Sequence, residues 1–128
     1  MTIDYAGHKA APGQGRRGRG LFARMSIAKN EVIARACSVP IDAEQCLKLD
    51  RMQPLGDFYF AHPLDDKLGL MVLGMPSLCN HADPANADVT WHKDEEIGWI
   101  ATLVALVDIR AGEEITYRYR CEIWFDQT

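Results

Sequence analysis

The stretch IGWIATLVALVDI, residues 97–109, constrains this chain more than any other. It is apolar on both faces and rich in β-branched side chains, which suit a pleated, buried surface better than a helix. Gly98 and Thr102 interrupt it, and it falls well short of the ~20 residues that span a bilayer. It reads as a buried strand, and a chain whose strongest apolar segment is a strand folds around a sheet.

The remaining segments agree with that reading. GLFARMSIAKNEVIARA, residues 20–36, reads as two short strands around a turn at Ala28-Lys29-Asn30. Asp42-Ala-Glu-Gln45 has the form of a capping box and opens one short helix, with Ala43, Cys46 and Leu47 expected on its inner face. LGLMVLG, residues 68–74, is a further strand. Arg110-Ala-Gly112 turns the chain into EEITYRYR, which alternates cleanly. Ile115, Tyr117 and Tyr119 point one way, and Thr116, Arg118 and Arg120 the other. The expectation is a mainly β domain of short strands and many turns. No internal repeat and no second domain is visible.

With 128 residues the chain is about one domain long. Its N-terminus, MTIDYAGHKA, lacks the apolar centre of a secretion signal, which points to an intracellular protein, cytoplasmic or nuclear, without a membrane partner. Cys37, Cys46, Cys79 and Cys121 are spread along the chain with no C-x-x-C pair. Reduced thiols are therefore expected, and no metal site. Between Asp4 and Glu31 there are six Lys or Arg and no acid, whereas from Glu31 onward eight Lys or Arg face seventeen Asp or Glu. Such an acidic body repels a phosphate backbone and attracts basic peptides. Nucleic acid is an expected partner only for the basic arm GQGRRGRG.

Two motifs fail on physical grounds. Gly13-Gln-Gly15-Arg-Arg-Gly18 satisfies the dinucleotide pattern G-x-G-x-x-G. That pattern needs a buried strand before it and a helix after it, and here polar residues precede and the strand-like LFA follows. Cys79 and His81 do not make a catalytic pair, because short side chains two apart on a strand meet only across a turn. His81, Asp83 and Asp88 match no ligand spacing for a metal.

Three other segments line up. Gly18-Arg19-Gly20-Leu-Phe-Ala23, Asn80-His81 with Asn86 six residues after Asn80, and Gly112-Glu-Glu-Ile-Thr-Tyr-Arg-Tyr119 occur in that order. Together they resemble the SET-domain protein-lysine methyltransferases, whose usual forms are G-x-G-[VL]-[FY]-A, N-H-S-x-x-P-N and G-E-E-[LI]-T-x-x-Y. The resemblance covers about residues 13–126 and is greatest to the minimal viral and bacterial members. It departs from the pattern at Ala82, where serine is usual, at Pro84, one position early, and at Phe58, which replaces a tyrosine.

The resemblance implies a β-clip fold of short twisted sheets with a C-terminal pseudoknot and one or two short helices. It occupies 13–128, with 1–12 as an extended or flexible lead-in. It implies S-adenosylmethionine as cofactor, bound by Gly18, Arg19, Gly20, Asn80, His81, Tyr119 and Trp124. Tyr119 and Tyr117 are the implied catalytic residues, and Phe58 and Tyr117 line the implied substrate channel. The partner is then a protein substrate with a lysine in a basic segment, histone-like or otherwise, and a homodimer is a further expectation. Phe58 and Ala82 keep a second reading open, a catalytically silent SET module that binds a protein partner.

Overall fold

The computed structural model describes residues 3–5, 8–12 and 19–118. The long apolar run contributes a strand, Gly98–Ala105, that lies between two antiparallel neighbours, Val32–Ile41 and Ala87–Asp94. Ala101, Leu103 and Ala105 on it are wholly buried. The strand stops at Ala105, sooner than the apolar run does. Leu106 and Val107 are 45% and 50% exposed, beyond the last bond of the pairing with Ala87–Asp94, which the Leu106 N–H donates to the Asn86 carbonyl at 2.8 Å.

In chain order the strands are β1 (Ile3–Tyr5), β2 (His8–Pro12), β3 (Arg19–Ala23), β4 (Val32–Ile41), β5 (Tyr59–Ala61) and β6 (Gly69–Val72). They continue with β7 (Asn80–His81), β8 (Ala87–Asp94), β9 (Gly98–Ala105) and β10 (Glu114–Tyr117). One helix, α1 (Ala43–Asp50), and two single 3-10 turns, Leu55–Asp57 and Met75–Leu78, complete the described elements. The strands form two five-stranded sheets, ordered β1-β2-β3-β10-β7 and β5-β6-β4-β9-β8. Leu21, Ile115 and Tyr117 of the first sheet share a buried cluster with Phe60, Val72, Val89 and Leu103 of the second. Burying one such side chain is worth about 1.5–3 kcal/mol, so this contact holds the sheets together.

The described parts of the lead-in are extended strands. β1 pairs with β2, and β2 pairs with β3 in register His8↔Ala23 to Pro12↔Arg19. The two strands expected around Ala28–Asn30 exist, but they are not each other's partners. β3 joins β2 and β10, and β4 joins β6 and β9. Asn30 takes a left-handed conformation (φ 71°), and its N–H donates to the Ala105 carbonyl at 2.8 Å, which carries the chain from one sheet to the other.

Helix α1 starts as its sequence predicts. The Asp42 carboxylate accepts from the Gln45 N–H at 2.8 Å, and the Gln45 side chain accepts from the Asp42 N–H at 3.0 Å. Such a cap contributes about 1 kcal/mol. The inner face is narrower than expected. Cys46 is buried, whereas Ala43 is exposed and Leu47 is 63% exposed. With eight residues lying at the surface, the helix rests on the fold through Cys46, whose Sγ lies close to where a Cβ on Gly69 would sit.

His8 is 6% exposed, and its Nδ1 accepts no hydrogen bond from a described residue. Burial lowers its pKa from the ordinary 6.5, and the Glu31 carboxylate offsets part of that. A folded-state pKa below the unfolded one means that the unfolded chain binds the proton more tightly. The stability His8 contributes is therefore present above about pH 6.5 and is lost as pH falls below it. Melting temperatures measured between pH 7 and 5 are expected to fall, and His8→Phe is expected to flatten that slope.

Candidate active site

β10 organises the site, and the turn before it sets its position. Gly112 has φ 91°, a conformation other residues adopt only at a cost. The Gly112 N–H donates to the Ala23 carbonyl at 2.7 Å, and the Ala23 N–H donates to the Glu113 carbonyl at 2.9 Å. β10 thereby lies antiparallel to β3, with Ile115 opposite Leu21 and Glu114 opposite Phe22. Its other edge takes β7 in parallel, with Thr116 opposite Asn80 and Tyr117 opposite His81. The Ala82 N–H extends this ladder to the Tyr117 carbonyl at 3.2 Å. Period-two alternation then separates two kinds of chemistry, with Ile115 and Tyr117 entering the core and Glu114 and Thr116 on the opposite face.

On the polar face Asn80 is 4% exposed. Its Nδ2 donates to the Arg19 carbonyl at 2.6 Å and to Glu114 Oε2 at 2.7 Å. Its Oδ1 is buried and accepts from no described residue. Gly20 lies against the same group. A Cβ there would collide with Glu114 Oε2 and stand 2.9 Å from Glu114 Cδ and 3.1 Å from Asn80 Nδ2. Asn86 braces the strand from the side, donating from Nδ2 to the Glu114 carbonyl and accepting at Oδ1 from the Thr116 N–H, both at 2.8 Å.

On the apolar face Tyr117 stacks on Phe60 at 5.3 Å between ring centroids, and Phe60 meets the edge of Trp91 at 5.6 Å. Tyr59, Phe60, Asp88, Val89, Trp91 and Tyr117 line a cleft here. Phe58 is not among its lining residues. The Arg19 guanidinium lies over the Phe58 ring instead, 5.3 Å from its centroid.

A family model described as the SET domain matches residues 18–120. The chain belongs to the SET domain family. Among solved structures it is similar to a Plasmodium falciparum protein described as a candidate histone methyltransferase. The two are 26% identical with a TM-score of 0.62, over 87% of this chain and 96% of that one. It also shares its fold with a chain of an active polycomb repressive complex 2 in the basal state, at 20% identity and TM-score 0.71. A humanized mutant of the same complex from Chaetomium thermophilum, bound to an inhibitor, matches at 23% identity and TM-score 0.67. Each match covers 87% of this chain, which spans only 15% and 14% of those two chains. No curated protein matches the sequence.

Of the site residues expected from sequence, this SET domain gathers Arg19, Gly20, Asn80, His81 and Tyr117 around β10 and its two neighbours. Gly18, Tyr119 and Trp124 lie outside the described residues, as does the stretch that would close the C-terminal pseudoknot. Cys79 is fully buried in the core cluster, where solvent does not reach its thiol. Sequence reasoning missed Glu114 as a partner of Asn80, and Phe60 and Trp91 as cleft walls. The signal for Glu114 was present, because it precedes Thr116 by two and so shares its face. Among the described residues no helix is long and apolar enough to cross a membrane.

Proposed function

We propose that this SET domain transfers a methyl group from S-adenosylmethionine to the side-chain amine of a lysine in a basic protein. One observation carries the reading. A single strand, β10, presents a buried polar group on one face (Gly20, Asn80, Glu114) and an aromatic cleft on the other (Phe60, Trp91, Tyr117). The reaction needs two such compartments, one for a polar cofactor and one for an alkylamine.

The polar side fits the cofactor. The unclaimed Asn80 Oδ1 accepts a hydrogen bond, as an amino-acid ammonium requires, and the glycine at 20 keeps the backbone approachable. Gly18, Arg19, His81 and Trp124 are assigned to the same ligand. S-adenosylmethionine supplies the methyl group on an activated sulfonium when bound.

The protein must deliver a neutral amine in line with that methyl. Lysine's pKa of ~10.4 makes neutrality at pH 7 cost about 4–5 kcal/mol. The aromatic walls of the cleft lower that pKa by penalising the ammonium form, and the Asp88 carboxylate on the lining acts in the opposite direction. Holding the amine there also converts a bimolecular encounter into an oriented one. Tyr117 forms the cleft wall, and Tyr119, two residues on, is assigned to aim the amine's lone pair. The acidic body suits a lysine-rich segment, and such a substrate places the protein inside the cell, in cytoplasm or nucleus.

The test is transfer of labelled methyl from S-adenosylmethionine to core histones and whole-cell proteins, with the modified side chain mapped. Label on lysine supports the reading. Stabilisation by S-adenosylhomocysteine without any transfer would instead identify a silent module. Tyr119→Phe is expected to lower turnover about ten- to a hundredfold while S-adenosylhomocysteine affinity changes little. Equal loss of both would make Tyr119 structural.

A further inference from the structure

We propose that Glu114 is a positioning residue, holding the Asn80 amide in the orientation that selects a ligand with an ammonium group. The inference rests on the cofactor reading above and adds a residue to it. A side-chain amide can be turned either way, and its hydrogen-bond partners decide which way it sits. Here Nδ2 stands 2.6 Å from the Arg19 carbonyl and 2.7 Å from Glu114 Oε2. A carbonyl and a carboxylate oxygen are both acceptors, so turning the amide would exchange two good hydrogen bonds for two oxygen–oxygen repulsions.

With both amide hydrogens engaged, Asn80 has only an acceptor left to offer. That acceptor, Oδ1, is buried and takes no hydrogen bond from a described residue. A buried polar atom left this way costs about 1–3 kcal/mol, which a ligand's N–H would recover. Gly20 belongs to the same device, since any Cβ there would occupy the space that the carboxylate uses to reach Asn80. Of the two acceptors, Arg19 contributes backbone, so Glu114 is the one that side-chain substitution can remove.

The experiment compares two ligands by calorimetry. S-adenosylhomocysteine carries the amino-acid end, and 5′-methylthioadenosine lacks it. In E114A the affinity for S-adenosylhomocysteine is expected to fall about tenfold or more, and that for methylthioadenosine to stay within about twofold. E114Q should remain within about threefold of wild type for both, because the glutamine carbonyl still accepts from Asn80 Nδ2. E114A combined with N80A should lose no more than N80A alone. Equal weakening of both ligands in E114A, no weakening of either, or additive losses in the double variant would overturn the proposal. If E114A fails to fold, E114D, whose carboxylate is one methylene short, takes its place with the same expectations. Wild-type protein that binds no S-adenosylhomocysteine would overturn the cofactor reading and this inference with it, whereas normal wild-type binding with an indifferent E114A overturns the inference alone.

Discussion

Gly20→Ala is expected to cost at least about a hundredfold in S-adenosylhomocysteine affinity and to destabilise the fold by about 1–3 kcal/mol. The added methyl would collide with Glu114 Oε2 and lie 2.9 Å from Glu114 Cδ and 3.1 Å from Asn80 Nδ2. β3 cannot retreat, because β2 and β10 pair with it on its two sides, with Ala11 directly opposite Gly20. The carboxylate must therefore move, and Asn80 loses an acceptor inside a site that is 4% exposed. Titration with S-adenosylhomocysteine and urea unfolding, side by side with wild type, would measure both effects. Wild-type affinity in the variant would show that the carboxylate moves freely and that Gly20 serves only the backbone. Adding Glu114→Ala to Gly20→Ala is expected to restore stability without restoring affinity, since it removes the clash and the orienting acceptor together.

Asn86→Ala is expected to destabilise the fold by about 2–4 kcal/mol, because it strips two partners from the backbone of β10. The Asn86 amide does for β10 what a neighbouring strand would do. It donates to the Glu114 carbonyl and accepts from the Thr116 N–H, while its own carbonyl accepts from the Leu106 N–H, each at 2.8 Å. Without the side chain, a half-buried carbonyl and N–H are left to find water. Asn86→Asp keeps the acceptor but replaces the donor with an oxygen facing the Glu114 carbonyl, so it should be no milder. Urea unfolding measures the loss. A change below about 0.5 kcal/mol in Asn86→Ala would mean that solvent replaces the amide at little cost.

These two positions also show how far the sequence could be read. Gly20 and Asn86 both stood in motifs, so their importance was visible, and the capping box at Asp42 and Gln45 was visible in the same way. The partner that makes Gly20 necessary was not visible, because Glu114 is 94 positions away in the chain (114 against 20). Strands were legible wherever the apolar pattern was strong, as a continuous β-branched run in β9 and as alternation in β10. Their pairing was less so. β3 and β4 flank a turn that looks like a hairpin, yet each pairs elsewhere, because the apolar faces that must be buried lie across two sheets. The helix misled in the same manner. Its spacing offered Ala43, Cys46 and Leu47 to a core, but it sits at the surface, where the fold covers Cys46 and leaves the other two in water.

What the sequence determined by itself was local chemistry and periodicity: a buried strand within 97–109, the glycine turn at 112, the helix start at 42, and the ordered motifs of the SET domain family. Those features depend on neighbours within a few residues. The tertiary structure alone decided which side of the Asn80 amide faces Glu114, why no Cβ fits at position 20, and how Phe60, Trp91 and Tyr117 come to share one cleft. The hydrogen-bond partners of Asn80 lie 61 and 34 residues away, and packing rather than periodicity brings them together.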